Sequence, residues 1–274
     1  MKAEPMHRVA FRIYLGLFML LLLSPLAVMG LSAFNTPSYP QAWPIEGFTL
    51  AWFRKLTTSS DLLEGLRNSI IIAVAVTALS VPIGLAAAIV MNQLQARFRS
   101  IYYLVVISPM LTPGIITGVA TVVFWREITR QAGLSYLYNG LLLSVIAQTT
   151  FISSLCMLIV LARLQRFDRS QEEAALDLGA TPLQIFFGIT LPFLRPALAS
   201  SAVLALLSSV EEFNATTFTI LADKTLTTVL AGRIRVGLTP EISALAVVIV
   251  ALTQLIAVGY EIASRRVEAT SSRR

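Results

Sequence analysis

Residues 169–198, RSQEEAALDLGATPLQIFFGITLPFLRPAL, decide how this chain is read. Ser170 followed by Glu173 fits a capping box, in which the hydroxyl accepts from the N3 amide and the carboxylate reaches back to the cap amide, so a helix is expected to begin there. Ala174, Ala175 and Leu178 give that helix a small, shallow apolar face, and Gly179 is the residue type that ends helices in the left-handed conformation. Thr181, Pro182 and Gln184 repeat the signal, with a cap hydroxyl, a proline at the first helical position and a glutamine at N3. A second short helix is expected through Leu183, Ile185, Phe186, Phe187 and Ile189, until Leu191, Pro192 and Pro196 redirect the chain. The stretch therefore reads as two short capped helices hinged at a glycine.

Outward from this segment the chain turns apolar. Of 274 residues 56% are hydrophobic and only 13% charged, whereas an average soluble domain carries about a quarter charged residues. A water-soluble globule is excluded. Stretches near 11–32, 67–91, 101–125, 140–162, 197–221 and 242–263 are each long enough, at about 1.5 Å per helical residue, to cross a hydrocarbon core of roughly 30 Å. The expected fold class is all-α, a polytopic membrane protein with six transmembrane helices. Lys2, Arg8, Arg12, Arg97, Arg99, Arg163, Arg166, Arg169, Arg195 and the C-terminal arginines outnumber Arg54, Lys55, Arg67, Arg126, Arg130, Lys224, Arg233 and Arg235 on the other side. Basic residues accumulate in cytoplasmic segments, so both termini and the 163–196 loop are expected in the cytoplasm. The basic start and apolar run at the N-terminus also suit a cleavable signal, but no clean small-x-small site follows, and it is read as the first span. Pro82 with Gly84, Pro109 with Pro113 and Gly114, and Gly118 fall inside spans, as packing kinks or as hinges beside a transport route. Trp43, Trp52 and Trp125 lie near outer boundaries, where aromatic belts form.

Much chemistry is closed off. Cys156 and His7 are the only residues of their kinds, so thiol or histidine nucleophiles and zinc sites, which need converging ligands, are not expected. The net charge of +6 is scattered at the ends of apolar blocks, which argues against a nucleic-acid surface. A phosphate-cradling loop needs Gly-Lys-Ser/Thr, yet Lys2, Lys55 and Lys224 follow Met, Arg and Asp. The chain is not expected to bind or hydrolyse ATP.

The string E-A-A, three residues, G, nine residues, I, one residue, L-P is met at Glu173, Ala174, Ala175, Gly179, Ile189, Leu191 and Pro192. Such a match arises by chance with probability on the order of one in a million. On these residues the chain resembles the integral membrane permeases of binding-protein-dependent ABC importers. The resemblance implies the type I ABC importer permease fold over 11–263, with coupling loop 163–196 and cytoplasmic tails 1–10 and 264–274. It also implies that the Glu173–Gly179 helix is a coupling helix docking into a cytoplasmic ABC ATPase dimer, with Asp177 and Leu178 on the docking segment. The expected partners are that ATPase, a second and non-identical permease subunit, a periplasmic solute-binding protein and the lipid bilayer of a bacterial inner membrane. No cofactor is expected on this chain, ATP and Mg belonging to the ATPase. The physics suits the role: small alanines allow close approach, and Glu173 and Asp177 offer charge to a basic rim.

GFTLAWFRKL (47–56), NSIIIA (68–73) and RVGLTPEISALA (235–246) resemble the spermidine/putrescine type of permease, a pattern shared with importers of aminoethylphosphonate, opines and other small solutes. The fifth expected span adds Glu211 and Glu212. A charge near the bilayer centre costs at least about 2.5 to 3.5 kcal/mol on insertion scales, so these carboxylates should not face lipid. On helical spacing Glu212 would share a face with Ser208, Ser209, Thr216 and Thr219, with Asn214 just beyond. Two roles stay open: a cation-attracting lining formed by Glu211, Glu212, Ser208, Asn214 and Thr216, or structural pairing with Arg233 or a neighbouring helix. An ion-coupled secondary carrier would leave the loop motif unexplained.

Overall fold

The computed structural model describes residues 3–251 and 253–255, and among these the regular structure is helical. Among the described residues four helices are long and apolar enough to cross a membrane: Val9–Phe34, Ser60–Gln93, Gly140–Leu164 and Pro182–Glu211. The first lies within α1 (Ala3–Phe34), so the expected N-terminal tail is already helical. The others contain α3 (Ser60–Gln93), α6 (Gly140–Leu164) and α9 (Leu191–Glu211), after the short α2 (Ala51–Thr58). The sixth expected span begins as the helix Pro240–Leu255. Its remainder and the tail 264–274 lie outside the described residues.

The expected third span is not one rod. It is two helices, α4 (Ala96–Leu111) and α5 (Gly114–Ala132), bent by 96° at their junction. Pro113 explains the break. Its ring disfavours helical geometry at Thr112, which stands extended at φ −78° and ψ 132°, and its missing N–H ends the ladder. Pro25, Pro82, Pro109 and Pro196 are instead carried inside helices, as membrane helices tolerate.

Two compact units result, Glu64–Val229 and the segments flanking it. In the first, α6 is the centre. Ile72 and Val76 of α3, Val145, Ile152 and Cys156 of α6, and Ala205 of α9 share one buried cluster. Ala88, Met91, Met157, Val160, Leu164 and Leu194 form another. Lipid tails are as apolar as leucine, so these helices are held by close packing and interhelical hydrogen bonds more than by water exclusion. Gly84 shows the closeness: a Cβ there would stand 2.5 Å from that of Cys156.

In the flanking unit a loop wraps one buried asparagine. The Asn35 amide donates to the carbonyls of Gln41 and Pro44, each at 3.0 Å, and its oxygen accepts from the N–H groups of Thr36 and Glu46, each at 3.0 Å. Trp52 donates to the Asn35 carbonyl at 2.8 Å. Trp52 is therefore a staple of this loop. Trp43 stays exposed.

Candidate functional site

The decisive loop folds into α7 (Ser170–Asp177) and α8 (Pro182–Ile185). The first expected capping box does not form. Ser170 is already helical, one position too late to cap, and Asp168 takes over: its carboxylate accepts the Ser170 N–H at 3.0 Å. The Ser170 hydroxyl and then its N–H hold the Asp168 carboxyl below the ordinary aspartate range. At the other end Gly179 stands at φ 82°, with its N–H on the Leu176 carbonyl at 2.8 Å and the Ala180 N–H on that of Ala175 at 3.0 Å. Those two bonds are the Schellman closure that favours glycine. The second box does form: Thr181 N–H donates to Gln184 Oε1 at 2.8 Å, and Gln184 N–H to Thr181 Oγ1 at 3.4 Å.

The two faces of α7 differ. Glu173, Ala174, Asp177, Leu178 and Gly179 are exposed, Leu178 at 89%, and Ala175 is half-buried. The inner face is tied down. Thr190 Oγ1 donates to Glu172 Oε1 at 2.7 Å, and Arg169 Nη2 donates to the Asn92 carbonyl at 3.0 Å, near the end of α3. A cleft of about 300 Å³ lies there, lined by Arg169, Glu172, Leu176, Ile185, Phe186 and Thr190 among others. Ile189, Leu191 and Pro192 are not beside the Glu173–Gly179 helix's free face; they are half-buried at the head of the membrane helix. Nor do Pro192 and Pro196 redirect the chain. A π turn, Phe186–Thr190, joins α8 to α9 without a break. Sequence reasoning passed over Asp168, Glu172 and Thr190. Only Asp168 carried a local signal, a short acceptor two residues before the helix.

The carboxylate pair marks a second site, and the fifth helix does not run to 221. It stops at Glu211, Glu212 is extended at ψ 122°, and the short α10 (Thr216–Thr219) follows. Glu212 and the later polar residues therefore share no continuous helical face. Instead the Glu212 carboxylate accepts the N–H groups of Ala215 at 3.0 Å and Thr216 at 2.9 Å and the Thr216 hydroxyl at 2.7 Å. Gln148, fully buried, extends this set: it donates to Thr216 Oγ1 at 2.8 Å and accepts from the Ser209 hydroxyl. Ser144 and Thr219 pair at 2.9 Å. Gly118 lets α5 close on α10, since a Cβ there would stand 2.6 Å from the Ala215 carbonyl oxygen. Thr216 is buried, Ser208 half-buried, and Glu211 and Asn214 are exposed. Within the flanking unit Arg233 binds Glu241 at 3.0 Å, which Lys55 also meets at 3.4 Å.

Comparison with known proteins matches residues 80–269 to the family described as binding-protein-dependent transport system inner membrane component. The putrescine transport system permease protein PotI of Escherichia coli (strain K12) is 30% identical over 231 residues, covering 83% of this chain and 81% of that protein. The spermidine/putrescine transport system permease protein PotC of the same strain is 26% identical over 242 residues, covering 88% of each. The solved bacterial alginate ABC transporter, in complex with alginate pentasaccharide-bound periplasmic protein, has a chain that superposes with a TM-score of 0.70. It is 17% identical and covers 94% of this chain and 93% of that one, a likeness of fold alone. With the family matched over more than half of its length, the chain belongs to the binding-protein-dependent transport system inner membrane components and is the permease subunit of an ABC importer.

Proposed function

We propose that this permease forms half of the pathway of an ATP-driven importer for a polyamine such as putrescine or spermidine, or a related small organic cation. The observation that carries the reading is the two-faced α7: one side is tied to the membrane helices, while Glu173, Ala174, Asp177 and Leu178 are bare. A leucine exposed at 89% on a charged, small-residue surface suits insertion into a cleft on another protein, where burying it is favourable by about 1.5 to 3 kcal/mol. That partner is an ATPase dimer, which brings ATP and Mg; a second, non-identical permease completes the path, and a periplasmic protein delivers the solute. Both termini and residues 163–196 face the cytoplasm, on the basic-residue bias. The permease domain runs from 11 to 263.

The cargo reading rests on the PotI and PotC relatives and on Glu211. Because Glu212 is committed to three hydrogen bonds, Glu211 and Asn214, both exposed, are left to meet solute, with Ser208 beside them. Co-purification of the ATPase in mild detergent tests the first part: Glu173→Arg should abolish it, and unchanged recovery would count against the docking face. Uptake of labelled putrescine tests the second. Glu211→Gln should raise the half-saturating concentration about fivefold or more, as loss of one partly desolvated charge contact implies; an unchanged value removes the cation path.

A further inference from the structure

We infer that the Glu172–Thr190 hydrogen bond is the tie through which α7 moves α9, making both positioning residues for transport. The inference rests on the proposed docking role of α7. Threonines in this fold ordinarily turn their hydroxyls back on their own helix: Thr121 donates to the Thr117 carbonyl at 2.8 Å, Thr129 to Trp125 at 2.7 Å and Thr150 to Ala147 at 2.6 Å. Thr190 departs from that habit. It closes the π turn Phe186–Thr190, it is 6% exposed, and its hydroxyl donates across to Glu172 Oε1 at 2.7 Å. A π turn is an uncommon insertion that re-aims the residues around it and tends to sit where function needs it. Here it gives Thr190 a carboxylate acceptor 18 residues earlier in the chain, a charge-assisted bond of the stronger kind.

The geometry makes a lever of the loop. Arg169 and Glu172 lie on one side of α7, three residues apart, and bond α3 and the head of α9 respectively. Residues 173–174 and 177–179 on the opposite side are free. Displacement of the free face therefore reaches two membrane helices through two side chains. Of these, Arg169 meets the last turn of α3, at Asn92, whereas Thr190 is rooted in the continuous helix that runs to the Glu211 break. Along that helix Ser209 joins Gln148, so the same rod connects the loop to the polar network around Glu212.

The test uses the assembled transporter, with ATPase, second permease and binding protein, in lipid nanodiscs. Cys156 is fully buried, so introduced cysteines take spin labels selectively. Label pairs Gln171–Ser100 and Ser200–Ser100 report α7 and α9 separately, and the readout is the distance change between nucleotide-free and ATP-vanadate states. Thr190→Val, which keeps the shape and removes the hydroxyl, should leave the α7 change in place and shrink the α9 change at least about twofold; Thr190→Ser should restore it, and Glu172→Ala with Thr190→Val should be no worse than either alone. An α9 change in Thr190→Val equal to that of the parent overturns the inference. If α7 itself does not respond in the parent complex, or the ATPase fails to associate, the docking reading has failed instead, and the tie falls with it.

Discussion

Gly179 holds φ 82° with nothing within 4 Å of where a Cβ would lie, so the cost of a side chain there is backbone strain alone. Gly179→Ala should destabilise the hinge by about 1 to 2 kcal/mol, which would appear as faster amide exchange over residues 176–181 and weaker ATPase recovery, with the membrane helices unchanged. Asp168 offers a pH handle. Its carboxyl is lowered by the Ser170 hydroxyl and N–H, so its hold on the start of α7 is complete above the ordinary aspartate value of about 4 and fades as pH falls through the lowered value. Protection of the amides at residues 170–172, taken relative to their intrinsic exchange rate at each pH, should fall across that acid window in the parent and be already low, and flat with pH, in Asp168→Ala. Gly179 and the Thr181/Gln184 box were legible because each is written within four residues. Ser170 and Glu173 matched the same local pattern, but Asp168 competed for the amide and won.

At the scale of elements, the polar break after α9 carries the strongest expectation. Gln148 is fully buried between Ser209 and Thr216, and Gln148→Leu strands the Ser209 hydroxyl and removes one of the two bonds of the Thr216 hydroxyl, which keeps its acceptor on Glu212. Interhelical hydrogen bonds in membranes average about 0.6 kcal/mol, so two lost bonds should cost about 1 to 2 kcal/mol, visible as a lowered unfolding temperature in detergent. Gly118→Val should cost more, because its branches would press on the Ala215 carbonyl. The helices themselves were readable from apolar run length. Their breaks were not. Pro109 and Pro113 look alike in sequence, yet Pro109 is absorbed within α4 while Pro113 turns the chain through 96°. The α9 stop at Glu211 was hidden because the polar residues that follow fit a helical face equally well. Only the carboxylate's turn onto the Ala215 and Thr216 amides shows that the helix has ended.

For the molecule as a whole, the class was legible from composition, and the family from seven positions in one loop. The Asn35-centred loop was not, since its bonds depend on backbone carbonyls nine residues away, nor was the Glu172–Thr190 bond, whose partners lie on different elements. What unites the permease is a division of labour. On the proposed reading the chain offers a docking helix and membrane rods while another polypeptide supplies the driving energy, in keeping with lysines that lack the flanking residues of a phosphate-binding loop. Reconstitution in liposomes tests this most directly. With its ATPase, second permease and binding protein, the chain should accumulate labelled putrescine only when ATP is supplied, and should accumulate none by itself. Uptake by the chain alone, driven by an ion gradient without nucleotide, would contradict the account.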